Sequence, residues 1–292
     1  MTVQAADDVF LAHRGALFGL AYRMLGSIAD AEDIVSDTYL RWQRTDHDHG
    51  EINDPRAYLF SITARLSIDT LRSARRTRVD YVGTWLPEPL VTDWESPADV
   101  VETRDTLSLG LLMVLEQLTP VERAVFVLRE AFSYPHGEIA ALLESSPANV
   151  RQHYRRAQQR LTRAGAPRFL ADRAQADELM HRFLAASMTG EVQPLADLLA
   201  ADAVLYADGG GKASAIRDPA HGRLRLARFF RGLVRQAPPD LRVDLVRANG
   251  APAMLVRTSD EVIGIYALEV GDGEIRAIHA VRNPDKLHRL SP

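Results

Sequence analysis

Apolar residues in the first part of the chain recur every three or four positions, which is the spacing of amphipathic helices. One stripe covers residues 10–25 and ends at Gly26, and Ser27 can cap a second helix that continues through Trp42. After a polar break, a third helix begins at Pro55 and continues to residue 78. The pattern therefore predicts an all-helical domain over residues 1–78.

The helical periodicity fails over residues 79–104, which contain three prolines and two tryptophans. We interpret this stretch as a linker. Its run Trp85-Leu86-Pro87-Glu88-Pro89 is too apolar to be left in water, so we expect the linker to dock on another surface.

Helices resume over residues 105–166. Thr119, Pro120 and Glu122 have the spacing of a capping box with proline in the first turn. Two further helices are predicted over residues 136–144 and 147–163, with Ser146 as the cap of the second. This part of the chain is predicted to be a second all-helical domain.

Beyond residue 166 the pattern changes to alternation, which is typical of strands with one buried face. Strands are predicted over residues 204–207, 241–246, 253–258, 262–270 and 274–281, and helices over 175–188 and 224–234. The fold class is thus two all-α domains followed by an α+β domain over residues 175–292, with a curved and mostly antiparallel sheet.

Composition narrows the possible functions. The chain has no cysteine, which excludes disulfides, thiolate catalysis and cysteine-ligated zinc. We find no apolar run long enough for a membrane span and no signal-peptide pattern, so a cytoplasmic protein is expected. Only two of the 35 basic residues are lysines, Lys212 and Lys286, and this invites a specific explanation for both.

Charge is segregated along the chain, although the net charge is only -4. Six arginines and no acid lie between residues 146 and 171, and six arginines with one acid lie between 56 and 78. Basic helices on an acidic chain indicate DNA contact that needs a partner protein.

Residues 135–161 have the pattern of a helix, a short turn and a second helix. The outer face of the second helix carries Asn149, Arg151, Gln152, Arg155 and Arg156, side chains that suit the edges of bases in a major groove and the phosphates beside it. The alternative is a solvated basic helix in a bundle. The turn, the cap and the missing acids favour the DNA-binding interpretation.

A strip of acids, Asp30, Glu32, Asp33 and Asp37, occupies two turns of the second helix. Acids near a helix start stabilise the macrodipole, but Asp37 is too far along for that explanation alone. The strip also suits a basic surface of a partner.

The segments 30–42, 55–78 and 118–161 resemble, in this order, three parts of an extracytoplasmic-function sigma factor: the polymerase-binding helix, the helix that reads the minus-ten element, and region four, which reads the minus-thirty-five element. The resemblance implies a monomer that binds the beta-prime coiled coil and beta flap of core RNA polymerase, and promoter DNA. It implies no cofactor and no enzymatic activity. The implied polymerase contacts are Asp30, Glu32, Asp33, Asp37 and Trp42, and the implied region-two DNA contacts are His47, His49, Asn53, Arg56, Arg65, Arg72 and Arg76.

Three further motifs, at 85–89, 208–212 and 283–287, are similar to those of the sigma subgroup with a carboxy-terminal SnoaL-like domain, and both lysines fall inside them. The resemblance implies regulation in cis. We therefore expect a clamp in which the second and third motifs hold the linker, with a lysine paired to Glu88 or Asp285 and with Trp85 buried. Its expected members are Trp85, Leu86, Pro87, Glu88, Asp208, Gly210, Lys212, Asn283, Pro284, Asp285 and Lys286.

Two other hypotheses stay open. A cone-shaped SnoaL-like domain can hold a pocket, so the alternative is a DNA-targeted regulator or fusion whose last domain binds a ligand or has isomerase or cyclase activity. The candidate residues for acid-base catalysis are Asp208, His221 and His279, with Tyr206 or Tyr266 as proton donors. The alternation of Asp and His over residues 46–49 permits a metal site, but it would need further ligands, and no metal is expected.

Overall fold

A computed structural model describes residues 3–45, 52–78, 81–93, 108–163 and 172–290. It divides into two compact units. The first comprises Met1–Val79 and Val114–Ala166, and the second comprises Asp80–Met113 and Pro167–Pro292. No helix within the described ranges is long and apolar enough to cross a membrane.

The amino-terminal half contains seven helices in its described ranges: α1 (Val3–Leu25), α2 (Ile28–Gln43), α3 (Pro55–Arg78), α4 (Leu109–Leu115), α5 (Pro120–Glu130), α6 (His136–Leu142) and α7 (Pro147–Arg163). Their predicted caps are confirmed. Ser27 accepts the backbone N–H of Asp30, and Ser146 accepts that of Asn149. Thr119 and Glu122 form the capping box at the start of α5.

In the first unit, the two predicted helical domains pack against each other. Phe60 of α3 contacts Phe132 and Tyr134, with ring centroids 5.1 and 5.4 Å apart. The fully buried Arg123 of α5 donates from Nε to the backbone carbonyl of Arg23 at the end of α1, at 3.0 Å. Because a buried guanidinium needs such partners, this residue ties α5 to α1.

The second unit contains α8 (Arg173–Thr189), α9 (Val192–Ala196), α10 (Arg223–Arg235) and a sheet. The strands are β1 (Val91–Asp93), β2 (Leu199–Asp208), β3 (Ala220–His221), β4 (Arg242–Ala248), β5 (Ala251–Arg257), β6 (Val262–Gly271) and β7 (Glu274–Val281), in the spatial order β1-β4-β5-β6-β7-β2-β3. Among the described strands, only β2 and β7 pair in parallel, so the expected α+β class and mostly antiparallel sheet are confirmed.

Both faces of this sheet are covered. One face packs against α8, α9 and α10 through residues such as Phe183, Phe230 and Tyr266. The other face is covered by Leu86 of the linker, Leu109 at the start of α4, and Leu287 near the carboxy terminus. Each of the three leucines is almost fully buried. Burial of one such side chain contributes about 1.5–3 kcal/mol, so the sheet holds the linker firmly.

The linker docks on the sheet of the carboxy-terminal domain. Its described residues 81–93 belong to the second unit, and β1 pairs with β4 at the edge of the sheet. The unit boundary falls after Met113, inside α4, rather than at residue 105. Helix α6 ends at Leu142, two residues earlier than predicted, because Glu144 adopts a left-handed conformation at φ 49°.

Candidate functional site

The acidic strip lies on the surface of α2. Asp33 and Asp37 are exposed, and Asp30 and Glu32 are half-buried. Leu40 follows one turn later with 47% of its surface exposed. An acidic strip that ends in an exposed leucine offers a partner both charge and an apolar contact.

Trp42 does not fit the expected polymerase contact. Its side chain is fully buried, and its indole Nε1 donates to the backbone carbonyl of Ala6 at 2.8 Å. The residue therefore fixes α2 against α1 and has no surface to offer a partner. The spacing of the apolar residues in α2 already places Trp42 on the side of the helix that faces the core.

Part of the region-two surface that is predicted to contact the minus-ten element is exposed. Asn53, Arg56 and Arg72 are exposed. The guanidinium of Arg56 lies 5.5 Å from the ring centroids of both Phe60 and Tyr134. Two predicted DNA contacts, His47 and His49, lie outside the described residues, together with the hypothetical metal loop 46–49. The side chain of Arg76 is also outside them.

Arg65 is occupied. Its guanidinium donates to the carbonyl of Leu142 at the end of α6 and forms an ion pair with Glu144 at 2.7 Å. Ser61 donates to the same carbonyl at 2.9 Å. A shallow groove of about 520 Å³ beside this contact is lined by Arg41, Arg44, Thr45, Tyr58, Ser61, Ile62, Arg65 and Glu144. The minus-ten helix thus touches the helix-turn-helix directly.

The predicted recognition face of α7 is open. Asn149, Arg151, Gln152, Arg155 and Arg156 are all exposed, while Val150, Ala157 and Leu161 are buried on the opposite side.

Helix α5 holds α7 in place on the side opposite the recognition face. Tyr154 donates to Glu130 of α5 at 2.5 Å. Burial and this hydrogen bond raise the pKa of Tyr154 to about 12, so its hydroxyl stays protonated and keeps donating. A rigid helix with an exposed arginine face is the arrangement of a DNA-binding module.

The linker is anchored on Asp208 at the end of β2. This carboxylate is completely buried and accepts four hydrogen bonds. Oδ1 accepts from the hydroxyl of Tyr81 at 2.5 Å and from the N–H of Gly210 at 3.0 Å. Oδ2 accepts from the N–H of Leu86 at 2.9 Å and from Nζ of Lys286 at 2.7 Å. Two of the four donors come from the linker.

Lys286 completes the anchor. Its ammonium also donates to the carbonyl of Leu86 and lies 4.3 Å from the ring centroid of Trp85, within the range of a cation–π interaction. The side chain of Lys286 is 13% exposed, and its partner Asp208 is fully buried. The linker is thus held by a desolvated ion pair.

Tyr81 links the anchor to the third motif. Its hydroxyl accepts from Nδ2 of Asn283 at 2.9 Å while it donates to Asp208. Burial, followed by the hydrogen bond to Asp208, raises the pKa of Tyr81 far above its usual value. Gly210 has φ 60°, and a side chain there would overlap the amide of Asn283. The second motif therefore approaches the third motif closely at this glycine.

The other lysine makes a different kind of contact. Lys212 pairs with Asp285 at 2.6 Å, but both side chains are more than half exposed. Of the two expected acids, Asp285 is thus the one that pairs with Lys212. Glu88 is buried and lies 3.8 Å from Arg289 instead. Trp85 is half-buried, and Pro284 is exposed beside the anchor.

Of the candidate catalytic residues, Tyr206 and His279 lie together, whereas Tyr266 and His221 lie elsewhere. Tyr206 stacks on His279, whose Nε2 lies 3.1 Å from Glu269, on the sheet face that the linker covers. Tyr266 lies on the opposite, helix-covered face, and His221 is exposed on β3. Asp208 has all its acceptor positions occupied. Within the described ranges no group of three acidic or histidine side chains could hold a metal ion.

The start of α4 docks on the same sheet face. A methyl group added to Gly110 would overlap the carboxylate of Glu269 and come within 3.1 Å of His279. Gly110 thus lets the helix lie directly on the buried pair.

We expect Gly110→Ala to loosen this contact although alanine favours helix by about 1 kcal/mol. Hydrogen exchange at residues 109–113 should become faster. Gly137 of α6, where an added methyl meets no atom within 4 Å, is the matched control, and Gly137→Ala should leave exchange in α4 unchanged. Equal exchange in the two variants would show that α4 does not rest on the sheet.

Sequence reasoning missed three residues that hold the linker or α4 on the sheet. Tyr81 precedes the recognised motif by four positions, and Gly110 is a single glycine in an apolar helix. Asn249, in a left-handed turn at φ 53°, accepts the N–H of Leu90 and donates to its carbonyl. The sequence Asn249-Gly250 signals a hairpin turn, but it does not reveal that the turn also holds the linker.

An exposed recognition helix beside a second arginine-bearing helix defines a DNA-binding protein. Residues 9–77 match the family model of sigma-70 region 2, and residues 108–161 match that of sigma-70 region 4.

Two relatives from Mycobacterium tuberculosis match along nearly the whole chain. The sigma factor SigJ is 36% identical over 95% of this chain and 91% of its own length. The probable sigma factor SigI is 30% identical over 96% and 93%. The crystal structure of SigJ matches with a TM-score of 0.77 at 33% identity over 95% of this chain and 96% of that structure. The chain belongs to the extracytoplasmic-function family of RNA polymerase sigma factors, and it is an alternative sigma factor that directs transcription by RNA polymerase.

Proposed function

We propose that the carboxy-terminal domain regulates this sigma factor in cis by holding the linker between regions two and four. The observation that carries the proposal is the buried pair of Asp208 and Lys286, which binds the backbone of Leu86 from both sides. We also propose that the acidic strip of α2 binds the beta-prime coiled coil of core polymerase and that region four binds the beta flap. The exposed Asp33 and Asp37 support the first of these contacts.

Both ends of the segment from residue 81 to residue 110 are attached near β7. Tyr81 hydrogen-bonds to Asn283, and Gly110 lies against His279. These two attachment points are four residues apart, or about 13 Å along an extended chain. If it were released and extended, the segment of about 30 residues could span roughly 100 Å. Docking therefore shortens the reach between the two sigma regions several-fold.

Promoter recognition needs the longer distance between the two sigma regions that the released segment allows. The minus-ten and minus-thirty-five elements are about 25 base pairs apart, or roughly 85 Å at 3.4 Å per base pair. In the first unit, Arg65 of the minus-ten helix contacts the end of α6 in the helix-turn-helix. The two modules cannot touch each other and read both elements at once. We infer that the docked linker maintains a closed, inactive state.

Release of the linker should therefore raise transcription. Trp85→Ala removes the cation–π contact with Lys286, which contributes about 2 kcal/mol in a desolvated site and would shift the docking equilibrium roughly 30-fold. We expect more run-off transcript per sigma factor when the variant is combined with core polymerase. Asp93→Ala, at an exposed residue of the linker, is the control. Transcript levels equal to wild type in the Trp85 variant would remove the support for regulation by the linker.

Opening of the first unit can be measured directly. Because the chain has no cysteine, Ser73→Cys in α3 and Gln159→Cys in α7 create a unique pair of exposed labelling sites. We expect high energy transfer between two dyes in the free protein and low transfer after addition of core polymerase and promoter DNA. A pair within region two, Arg14→Cys with Ser73→Cys, should show no change. Transfer that stays high in the promoter complex would contradict the closed-to-open transition.

A further inference from the structure

Helix α10 of the carboxy-terminal domain carries a basic surface that the sigma modules do not explain. Five of its 13 residues are arginines and none is acidic. The five are Arg223, Arg225, Arg228, Arg231 and Arg235. Across the described parts of the chain, none of them has an ion-pair partner.

The helix presents these charges on one side. Leu226, Ala227 and Phe230 are buried and fix α10 to the domain. Helical geometry places Arg225, Arg228 and Arg235 on the opposite side, where all three are exposed. These three arginines extend over about 15 Å, at 1.5 Å per residue.

A glycine lies in the middle of the same exposed side. A side chain at Gly232 would meet no atom within 4 Å, so internal packing does not require this glycine. Glycine weakens a helix interior, but here it leaves the backbone accessible between the arginines. Leu224 and Phe229 beside the row remain 47% and 36% exposed. A second feature of this face, independent of its charge, thus allows a close approach by another molecule.

We propose that the arginine side of α10 binds the phosphate backbone of duplex DNA. A row of guanidinium groups suits a regular polyanion, because each group can donate two parallel hydrogen bonds to a phosphate. The helix has no Asn or Gln, the side chains that read adenine edges, and its row of arginines suits phosphates. The proposal rests on promoter DNA being the partner of this chain. It adds a contact from outside the two sigma modules.

The test uses the full chain and a mixed-sequence duplex at several low salt concentrations, with affinity read by fluorescence anisotropy. The α10 variant combines Arg225→Gln, Arg228→Gln and Arg235→Gln. The matched control combines Arg182→Gln, Arg217→Gln and Arg242→Gln, three exposed arginines of the same domain. A third variant, Arg151→Gln with Arg155→Gln and Arg156→Gln, reports on the recognition helix α7. Since one phosphate contact contributes about 0.9 to the slope of log affinity against log salt, the α10 variant should lower that slope by about 2–3, and the control should not.

A Gly232→Glu substitution should weaken DNA binding without a loss of fold, whereas Gly232→Ala should preserve it. If the α7 variant loses affinity and the α10 variant does not, α10 is a solvated helix and the inference is wrong while the sigma function stands. If α10 variants bind DNA normally but bind core polymerase less tightly, the partner is an acidic protein surface, and DNA contact is also refuted. If neither the α7 variant nor the α10 variants change DNA binding, the proposed contact of this chain with promoter DNA is wrong.

Discussion

Lys286→Ala should lower the free energy of unfolding of the carboxy-terminal unit by about 3–5 kcal/mol, because it leaves the buried carboxylate of Asp208 without its counter-charge. The substitution also removes the donor to the carbonyl of Leu86. We therefore expect residues 81–93 to exchange their amide hydrogens faster than the rest of the sheet. Hydrogen exchange combined with denaturant unfolding measures both effects.

The other lysine of the chain is the control. Lys212 and Asp285 are both largely exposed, and such pairs contribute about 0–1 kcal/mol. Lys212→Ala should leave unfolding and linker exchange nearly unchanged. Equal losses in the two variants, or none in either, would mean that burial of the Lys286 pair does not hold the linker.

Arg151→Ala with Arg155→Ala should reduce promoter affinity of the polymerase complex by roughly 30-fold or more. Both side chains are exposed on the recognition face of α7, and a good contact with a base is worth about 1–3 kcal/mol. The fold should be preserved, since α7 is held by Val150, Ala157 and Leu161 on its other side. The measurement is binding to a promoter selected by the wild-type complex from a randomised DNA pool.

The double variant Gln158→Ala with Gln159→Ala tests whether any pair of substitutions on α7 lowers promoter affinity. Both residues are exposed in the second half of the helix, and we expect wild-type affinity. A similar loss in both double variants would assign the effect to helix stability. Unchanged affinity in the arginine variant would show that α7 does not read the promoter.

Local signals in the sequence were sufficient for the helical modules. The capping box at Thr119 and the cap at Ser146 fix where α5 and α7 begin, and both act within four residues along the chain. The exposed face of α7 follows from the same periodicity that buries Val150 and Leu161. Such features are predictable because propensity, caps and pattern agree.

Contacts between distant segments were less predictable. The motif resemblance brought Asp208, Lys286 and Leu86 into one hypothesis, but it left open which acid each lysine would meet. That choice depends on burial, which the sequence does not show. Strand β1 has three residues, too few for a periodic signal, and it forms only because β4 offers an unpaired edge. The contact of Arg65 with α6 joins residues 77 positions apart and has no local signature.

The most direct test is run-off transcription from a promoter selected as above, with core polymerase alone, with the full chain, and with a chain that ends at Ala166. We expect no specific transcript from core polymerase alone and a defined transcript with the full chain. The shortened chain lacks the sheet that holds the linker, so it should give more. A full chain that leaves core polymerase without promoter-specific transcript would contradict the assignment as a sigma factor, and a shortened chain with unchanged output would contradict control by the linker.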